Sequence, residues 1–295
     1  MHIRHLGLAV TMSIVFGIGW VFAKAAMEHF PPILLAGFRF TVTAAVLVAF
    51  VAPPFGHFRS LAITSVLAIS VPYSMSYTAM KYLDVSTSVL LAQMEAPFLV
   101  LLGALLLHER PAIRQGLGIV VAMGGVALIA GDPKIREHYL AVALALGSIA
   151  TWAIGQIRIR RMGNFGGLRC LAWLSLFAAP QLFAVSLLFE SDQVAAIRSA
   201  DSNSWLAVIY LGVVMTALGI GIWYHLIAKY PVVEVAPFLL LVPVTSILGG
   251  VLLLGDELGI HQMMGGTAII LGVGGVITYR SPKEIKADPE RRPGR

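Results

Sequence analysis

Ten apolar runs, near residues 6–27, 33–52, 61–80, 85–107, 112–130, 139–157, 168–189, 205–227, 232–254 and 262–279, follow one another with only short breaks between them. Each is close to the roughly 20 residues that a helix needs to cross a bilayer. No water reaches the backbone N–H and C=O groups there, so each run must satisfy its own hydrogen bonds, and a helix does so within one segment. Composition agrees: 58% of the chain is hydrophobic and 12% charged, with mean hydropathy +0.85, against roughly 25% charged residues in a soluble domain. The expected fold is an all-α integral membrane bundle of ten transmembrane helices, and 295 residues leave no room for a sizeable soluble domain. The breaks carry turn or charge signals, among them Pro31-Pro32, Pro53-Pro54 and Gly131-Asp132-Pro133. The first run imitates a signal peptide, yet it leads into nine further apolar runs and no secreted domain. Cys170 is the single cysteine, which excludes an intramolecular disulfide and a cysteine-cluster metal site.

Basic residues set the orientation. With the N-terminus inside, fourteen Lys and Arg fall on the inner side, Arg4, Arg59, Arg110, Arg158 and Arg161 among them. Only Lys24, Lys81, Lys134, Arg136 and Arg198 fall outside. The bias places both termini in the cytoplasm. The formal charge of +6 does not point to nucleic acid, because basic residues are scattered between apolar runs and thicken only in 281–295. That polar, Pro-containing tail is read as a disordered cytoplasmic end.

The two halves of the chain resemble each other. Trp20 in the first run matches Trp152 in the sixth, and "GFRF" at Gly37–Phe40 matches "GLRC" at Gly167–Cys170. Further on the offset grows to about 147, because the second half has a longer connection around Glu190 to Ser204. Tyr77 then meets Tyr224, Gln115 meets Gln262 and Gly118 meets Gly265. Five spans per half is an odd number, so the second copy enters the membrane from the opposite side. This is an inverted repeat, which builds an inward and an outward gate around a midplane site from one sequence unit. The expected organisation is a first five-helix repeat over 1–130, a second over 137–280 and the tail 281–295.

With those residues in view, the chain resembles the drug/metabolite transporter superfamily and, within it, the EamA family of ten-helix exporters. The resemblance covers nearly all of 6–280. It is carried by "PPILLAGFRF" in the second run, "EAP" then "LLLHE" across the fourth, "GIGIWYHL" in the eighth, and "LLVPV" then "LLLGDE" across the ninth. It implies a substrate cavity between the repeats, the fifth and tenth helices at the periphery, and export of small metabolites. The details are most similar to members that export cysteine, O-acetylserine and other amino acids.

Several side chains are candidates for that cavity. Phe16, Trp20 and Lys24 share a helix face, as do Ser148, Trp152 and Gln156. Trp20 and Trp152 each fit an interfacial anchor or a cavity wall. Tyr73 and Tyr77 stand one turn apart beside Ser76, and suit either packing with bonded hydroxyls or, with Tyr224, a polar cavity lining. Arg39 lies about 10 Å along its helix from Pro32. It is expected to face the bundle and tie to backbone carbonyls rather than bind a substrate carboxylate, with Arg169 echoing it. Gly118, Gly124, Gly125, Gly265, Gly272 and Gly275 are expected to let the fifth and tenth helices pack closely.

Glu95 is the sharpest case. It sits in "LLAQMEAPFLVLL", while the second repeat has Leu241 in its place and Leu239 in place of Gln93, so the fold itself does not require a carboxylate there. Pro97 cannot donate to the carbonyl of Gln93. A free carbonyl, an amide and a carboxylate thus gather near mid-helix, where broken backbone belongs beside a water-filled cavity. Gln93 and Glu95 are therefore candidate substrate contacts, Glu95 meeting an ammonium group or carrying a proton, with a buried bridging Glu as the alternative. No HExxH, GxSxG or Walker A sequence occurs and the eight His residues are spread out, so neither an enzyme, a cofactor nor a metal site is expected. The expected function is alternating-access export of small amino acids and related metabolites across a bacterial inner membrane. The alternatives are a nucleotide-sugar or drug transporter of the same superfamily, or a membrane-embedded enzyme. The partners are an amino-acid-like small molecule and the lipid bilayer, with a homodimer left open.

Overall fold

The apolar runs are helices, and their irregularities recur in the two halves. A computed structural model describes residues 3–107, 112–133, 135–162, 167–230 and 232–277, and among these the regular structure is all helical. The tail 281–295, and Glu109 of the "LLLHE" segment, lie outside the described residues. Ten spans are long and apolar enough to cross a membrane: α1 (Arg4–Ala26), α2 (Pro32–Phe50), α3 (Phe58–Tyr82), α4 (Val85–Leu106), α5 (Ile113–Ala130), α6 (Tyr139–Arg161), α7 (Leu168–Phe189), α8 (Ser202–Ile227), α9 (Ala236–Leu254) and α10 (Ile260–Ile277). Their outward faces are apolar, with Leu105 70% and Leu252 77% exposed, which in a chain of this composition is a face turned to lipid. α6 runs further than the hydropathy pattern indicates, so Arg158, Arg160 and Arg161 ride its last turn, where cations complement the helix dipole. The long connection after α7 contains a short helix, Gln193–Ser199.

Helix packing obeys a two-fold exchange of the repeats. α1 lies on α9 and α8, and α6, its counterpart, lies on α4 and α3. α2 touches α8 as α7 touches α3, while α2–α7, α4–α9 and α5–α10 are pairs that map onto themselves. The peripheral pair shows the exchange atom by atom. A Cβ on Gly118 would lie 2.6 Å from the Gly272 carbonyl oxygen and one on Gly272 2.5 Å from that of Gly118. The Gly125–Gly265 crossing repeats this at 2.5 and 2.6 Å. Only glycine permits that approach of α5 to α10. Gly124 is different from its neighbours, since nothing but open space lies within 4 Å of it, so it takes no part in the close packing expected of it.

Several breaks follow the same symmetry, although the π stretch Gly250–Leu254 of α9 has no counterpart in the described part of α4. Wide π turns occupy Val66–Ser70 of α3 and Tyr210–Gly219 of α8. α4 is interrupted at Gln93–Met94, whose N–H groups reach back only to Leu90 and Leu91. α9 opens on a 3-10 stretch, Ala236–Leu240. Both interruptions precede a proline, Pro97 or Pro243, which removes a donor from the ladder in each repeat. Polar side chains satisfy the helix ends nearby. Lys24 Nζ donates to the carbonyls of Met80, Lys81 and Leu83 at 2.7, 3.2 and 3.0 Å, closing the end of α3. Glu190 accepts from the N–H groups of Ile33 and Leu34 at 2.7 and 3.0 Å. Asp256 accepts from Ser86 N and Oγ at 2.9 and 2.8 Å, which caps α4.

Candidate substrate cavity

A cavity of about 670 Å³, counting its open side, is lined by α1, α2, α3, α4 and α6 with Met215 of α8. Trp20, Trp152, Tyr73 and Tyr77 form aromatic walls, Met80 and Met215 add thioethers, and Ser76, Ser88, Arg39 and Glu95 supply polarity. The lining residues lie in the half of the bundle where α1 and α3 end and α4 and α6 begin, except Trp152 and Met215, which sit just past the midpoints of α6 and α8.

The other half is shut by small residues. A Cβ on Gly155 of α6 would stand 2.5 Å from Ala68 Cα, and one on Gly219 of α8 would stand 2.7 Å from the ring of Phe16. Under the exchange that pairs Trp20 with Trp152 and Tyr77 with Tyr224, Gly155–Ala68 becomes Ala23–Met215, and Phe16–Gly219 becomes Ser148–Pro72. All four of those counterparts line the cavity. The counterparts of both packed contacts thus border the cavity, although the same helix pairs also touch at that end, where a Cβ on Gly147 would stand 2.5 Å from Met75 Cε and one on Gly19 would run into Met215 Sδ.

Arg39 is 4% exposed and held on every side. Its Nε donates to Thr216 Oγ1 and its Nη1 to the Tyr77 hydroxyl, both at 2.9 Å. Its guanidinium carbon lies 5.0 Å from the Tyr73 ring centroid and 5.4 Å from that of Phe40, within cation–π range. The expected tie to backbone carbonyls is found instead at Arg169, which donates to Ala52 O and Pro53 O at 3.1 and 2.7 Å. The reason is position. Arg169 opens a helix beside a loop with unclaimed carbonyls, whereas the carbonyls around mid-helix Arg39 already serve the helical ladder, and side-chain hydroxyls remain. The wide turn of α8 turns Thr216 to this task, since its Oγ1 donates to Leu211 O, five residues back.

Glu95 opens the second segment of α4, directly after the break, and is exposed to the cavity. It makes no hydrogen bond or ion pair with a described residue, and it shares the cavity lining with Tyr73. One cavity therefore holds a guanidinium immobilised by the protein and a carboxylate left unclaimed. Of the eight residues singled out from sequence, Trp20, Tyr73, Tyr77, Glu95 and Trp152 line it together. Gln93 is half-buried in the break, outside the lining. Gln156 and Tyr224 belong to the other half of the bundle, outside the lining. Reasoning from sequence missed Ser88 and Ala92, although Ser88, Ala92 and Glu95 at spacings of four and three mark one helix face. It assigned Arg39 to structure alone, and could not foresee that the guanidinium also borders the cavity.

Comparison with known proteins agrees with this architecture. The EamA-like transporter family matches the chain twice, over residues 4–131 and 139–278. A protein of Salmonella typhimurium named "Probable amino-acid metabolite efflux pump" is 30% identical over 281 residues, covering 90% of this chain and 92% of the relative. Its namesake from Escherichia coli is 28% identical with the same coverage. A crystal structure at 20% identity superposes with a TM-score of 0.62 over 92% of this chain and 96% of that one, a likeness of fold.

Proposed function

Because this chain belongs to the EamA-like transporter family, a multi-pass membrane protein built of two five-helix repeats, we propose that it exports small amino-acid-like metabolites by alternating access. The observation that carries this reading is the coexistence of unclaimed Glu95 and fixed Arg39 in one aromatic-walled cavity. An amino acid brings an ammonium and a carboxylate. Glu95 and the aromatic faces favour the first, and the Arg39 guanidinium at the cavity wall favours the second. The names of the relatives point the same way.

Alternating access is supported by the two helix crossings. Gly155–Ala68 and Phe16–Gly219 are packed in one half while their repeat counterparts, Ala23, Met215, Ser148 and Pro72, border the cavity, and an exchange of these two arrangements would move the opening from one end to the other. Gln156 and Tyr224 would then enter the lining from the half now shut. The membrane is the bacterial inner membrane, with both termini cytoplasmic and the present cavity facing outward, as the basic residues indicate.

Counterflow in proteoliposomes tests the substrate class, with amino acids, nucleotide sugars and cationic drugs as competitors. Exchange driven by a small amino acid and unaffected by the others is the expected result. Inhibition by nucleotide sugars or drugs alone would reassign the substrate. For orientation, cysteines placed at Arg161 and Ser281 in a chain lacking Cys170 should label from the cytoplasm and one at Ser202 from outside. Labelling of all three from one side would end the proposed topology.

A further inference from the structure

Threonine hydroxyls in the regular helices reach the carbonyl four residues back: Thr41 donates to Gly37 O at 2.8 Å, Thr43 to Arg39 O at 3.0 Å, and Thr151 to Gly147 O and Thr267 to Met263 O at 2.8 Å. Thr216 instead donates to Leu211 O, five residues back, at 2.6 Å, in the register of the wide turn Tyr210–Gly219 of α8. The carbonyl four residues back, Gly212 O, accepts from Thr43 Oγ1 of α2 at 3.0 Å. The Thr216 hydroxyl oxygen in turn accepts from Arg39 Nε at 2.9 Å. Arg39 and Thr43, one turn apart on one face of α2, thus hold positions 216 and 212, which a regular α-helix would pair with each other. Gly212 permits the approach, since a Cβ there would stand 2.9 Å from Arg39 O.

This turn lies between two surfaces that matter for transport. Met215 lines the cavity, and Gly219 packs on Phe16 in the other half. A wide turn carries about one residue more than an α turn, so tightening it would rotate the arm beyond it by roughly 100° relative to the arm before it. Gly219 would then leave Phe16. The clamp on this turn is within reach of a ligand, because Arg39 lines the cavity. The equivalent wide turn of α3, Val66–Ser70, is clamped by Gln181 of α7, whose Oε1 accepts from Ser65 Oγ and Ser70 Oγ at 3.2 and 2.6 Å and which stands outside the lining.

We infer that Thr216 is a positioning residue that couples substrate binding to the register of α8: a carboxylate drawn to Arg39 loosens the Arg39–Thr216 bond and frees the wide turn to tighten. A carboxylate is a stronger acceptor for a guanidinium than a hydroxyl is. The inference rests on the amino-acid reading above and names the residue through which Arg39 acts.

A cysteine at Tyr224, on the arm beyond the turn, reports the register in a chain lacking Cys170. With Thr216 in place, alanine or serine should change its rate of reaction with a water-soluble maleimide at least threefold. Ethylamine and ethanolamine, the same molecules without the carboxylate, should change it less than 1.5-fold. Thr216→Val, isosteric but without the hydroxyl, should abolish the response and lower the maximal counterflow rate at least tenfold, with the half-saturating concentration held within threefold. Thr216→Ser, which keeps the oxygen, should restore both. A purely structural threonine would lower yield or thermal stability in Thr216→Val and leave the response of the folded protein intact. Labelling that amino acids do not alter while counterflow proceeds, an equal response to the amines, or a full response in Thr216→Val would each overturn the coupling and leave amino-acid export standing. The first two comparisons keep Thr216, so they decide the matter even where Thr216→Val fails to fold. Absence of any amino-acid counterflow in wild type would overturn both readings.

Discussion

The two repeats share a plan and differ at the places where a transporter has to be asymmetric. In the α3–α6 crossing, Gly155 brings backbone against Ala68. In the equivalent α8–α1 crossing the pair is Ala23 and Met215, and these line the cavity. Likewise α4 and α9 both break before a proline, yet α4 resumes with Glu95 and α9 with Leu241. Under the proposed alternating access, symmetry would supply two interchangeable gates, because equivalent helix pairs meet at both ends. The departures from symmetry would supply the chemistry, because a substrate with one ammonium group needs one carboxylate. Close packing of small residues suits such a gate, whereas bulky interlocking side chains would fix one state.

The strongest way to break this comparison is to force the shut crossing. Gly155→Val places two extra methyl groups where even a Cβ is 2.5 Å from Ala68 Cα. Overpacking of that kind costs about 1–3 kcal/mol in a close-packed interior. The expected outcome is at least a tenfold loss of transport rate, with a cysteine at Gln156 becoming reactive to a water-soluble maleimide. Wild-type transport by this variant would mean that the crossing is not a gate.

Making the fourth helices alike should have the next largest effect. Glu95→Leu copies Leu241 and is expected to insert normally while losing roughly 10- to 100-fold in transport of zwitterions, about 1.4–2.8 kcal/mol. Glu95→Gln keeps size and hydrogen bonding, and should lose less and flatten the dependence of rate on pH between about 5 and 8, since no proton can then be gained or lost there. If both variants transport at wild-type rate across that range, neither ammonium binding nor proton carriage is the task of Glu95.

The smallest effects sharpen the boundary of the site. Trp20→Ala and Trp152→Ala should change the ranking of competing substrates, because aromatic walls contribute shape-dependent contact. Tyr224→Phe, which alters the closed half, should leave that ranking within about twofold. An interface anchor would behave differently, lowering yield or thermal stability with the ranking intact, and that result at both tryptophans would remove them from the cavity.

Much of this was legible from residues alone for definite reasons. Run length and composition fix ten spans because lipid tolerates no unsatisfied backbone. The recurrence of Trp, Tyr, Gln and Gly at steady offsets fixes the two repeats. Glu95 stood out because its counterpart is leucine, an internal control that any duplicated chain provides. Trp20, Tyr73, Tyr77 and Trp152 were legible as candidates, yet their sequence context left anchor, packing and cavity wall open.

Tertiary structure decided what depends on which surfaces meet. The partners of Arg39 were outside the reach of sequence, because Thr216 and Tyr77 lie 177 and 38 residues away and reach it only through the packing of α2 against α8 and α3. Gln156 and Tyr224 carry the same pattern as residues of the cavity half and lie in the other one, since a sequence with inverted symmetry writes the pattern at both ends of the bundle and the packing places the cavity at one. Ser88 and Ala92 are the plainest case. Both are chemically ordinary in a transmembrane helix, and only the folded arrangement places them on the cavity wall with Glu95. The sequence determines which groups can interact, and the tertiary packing determines which of them are brought together.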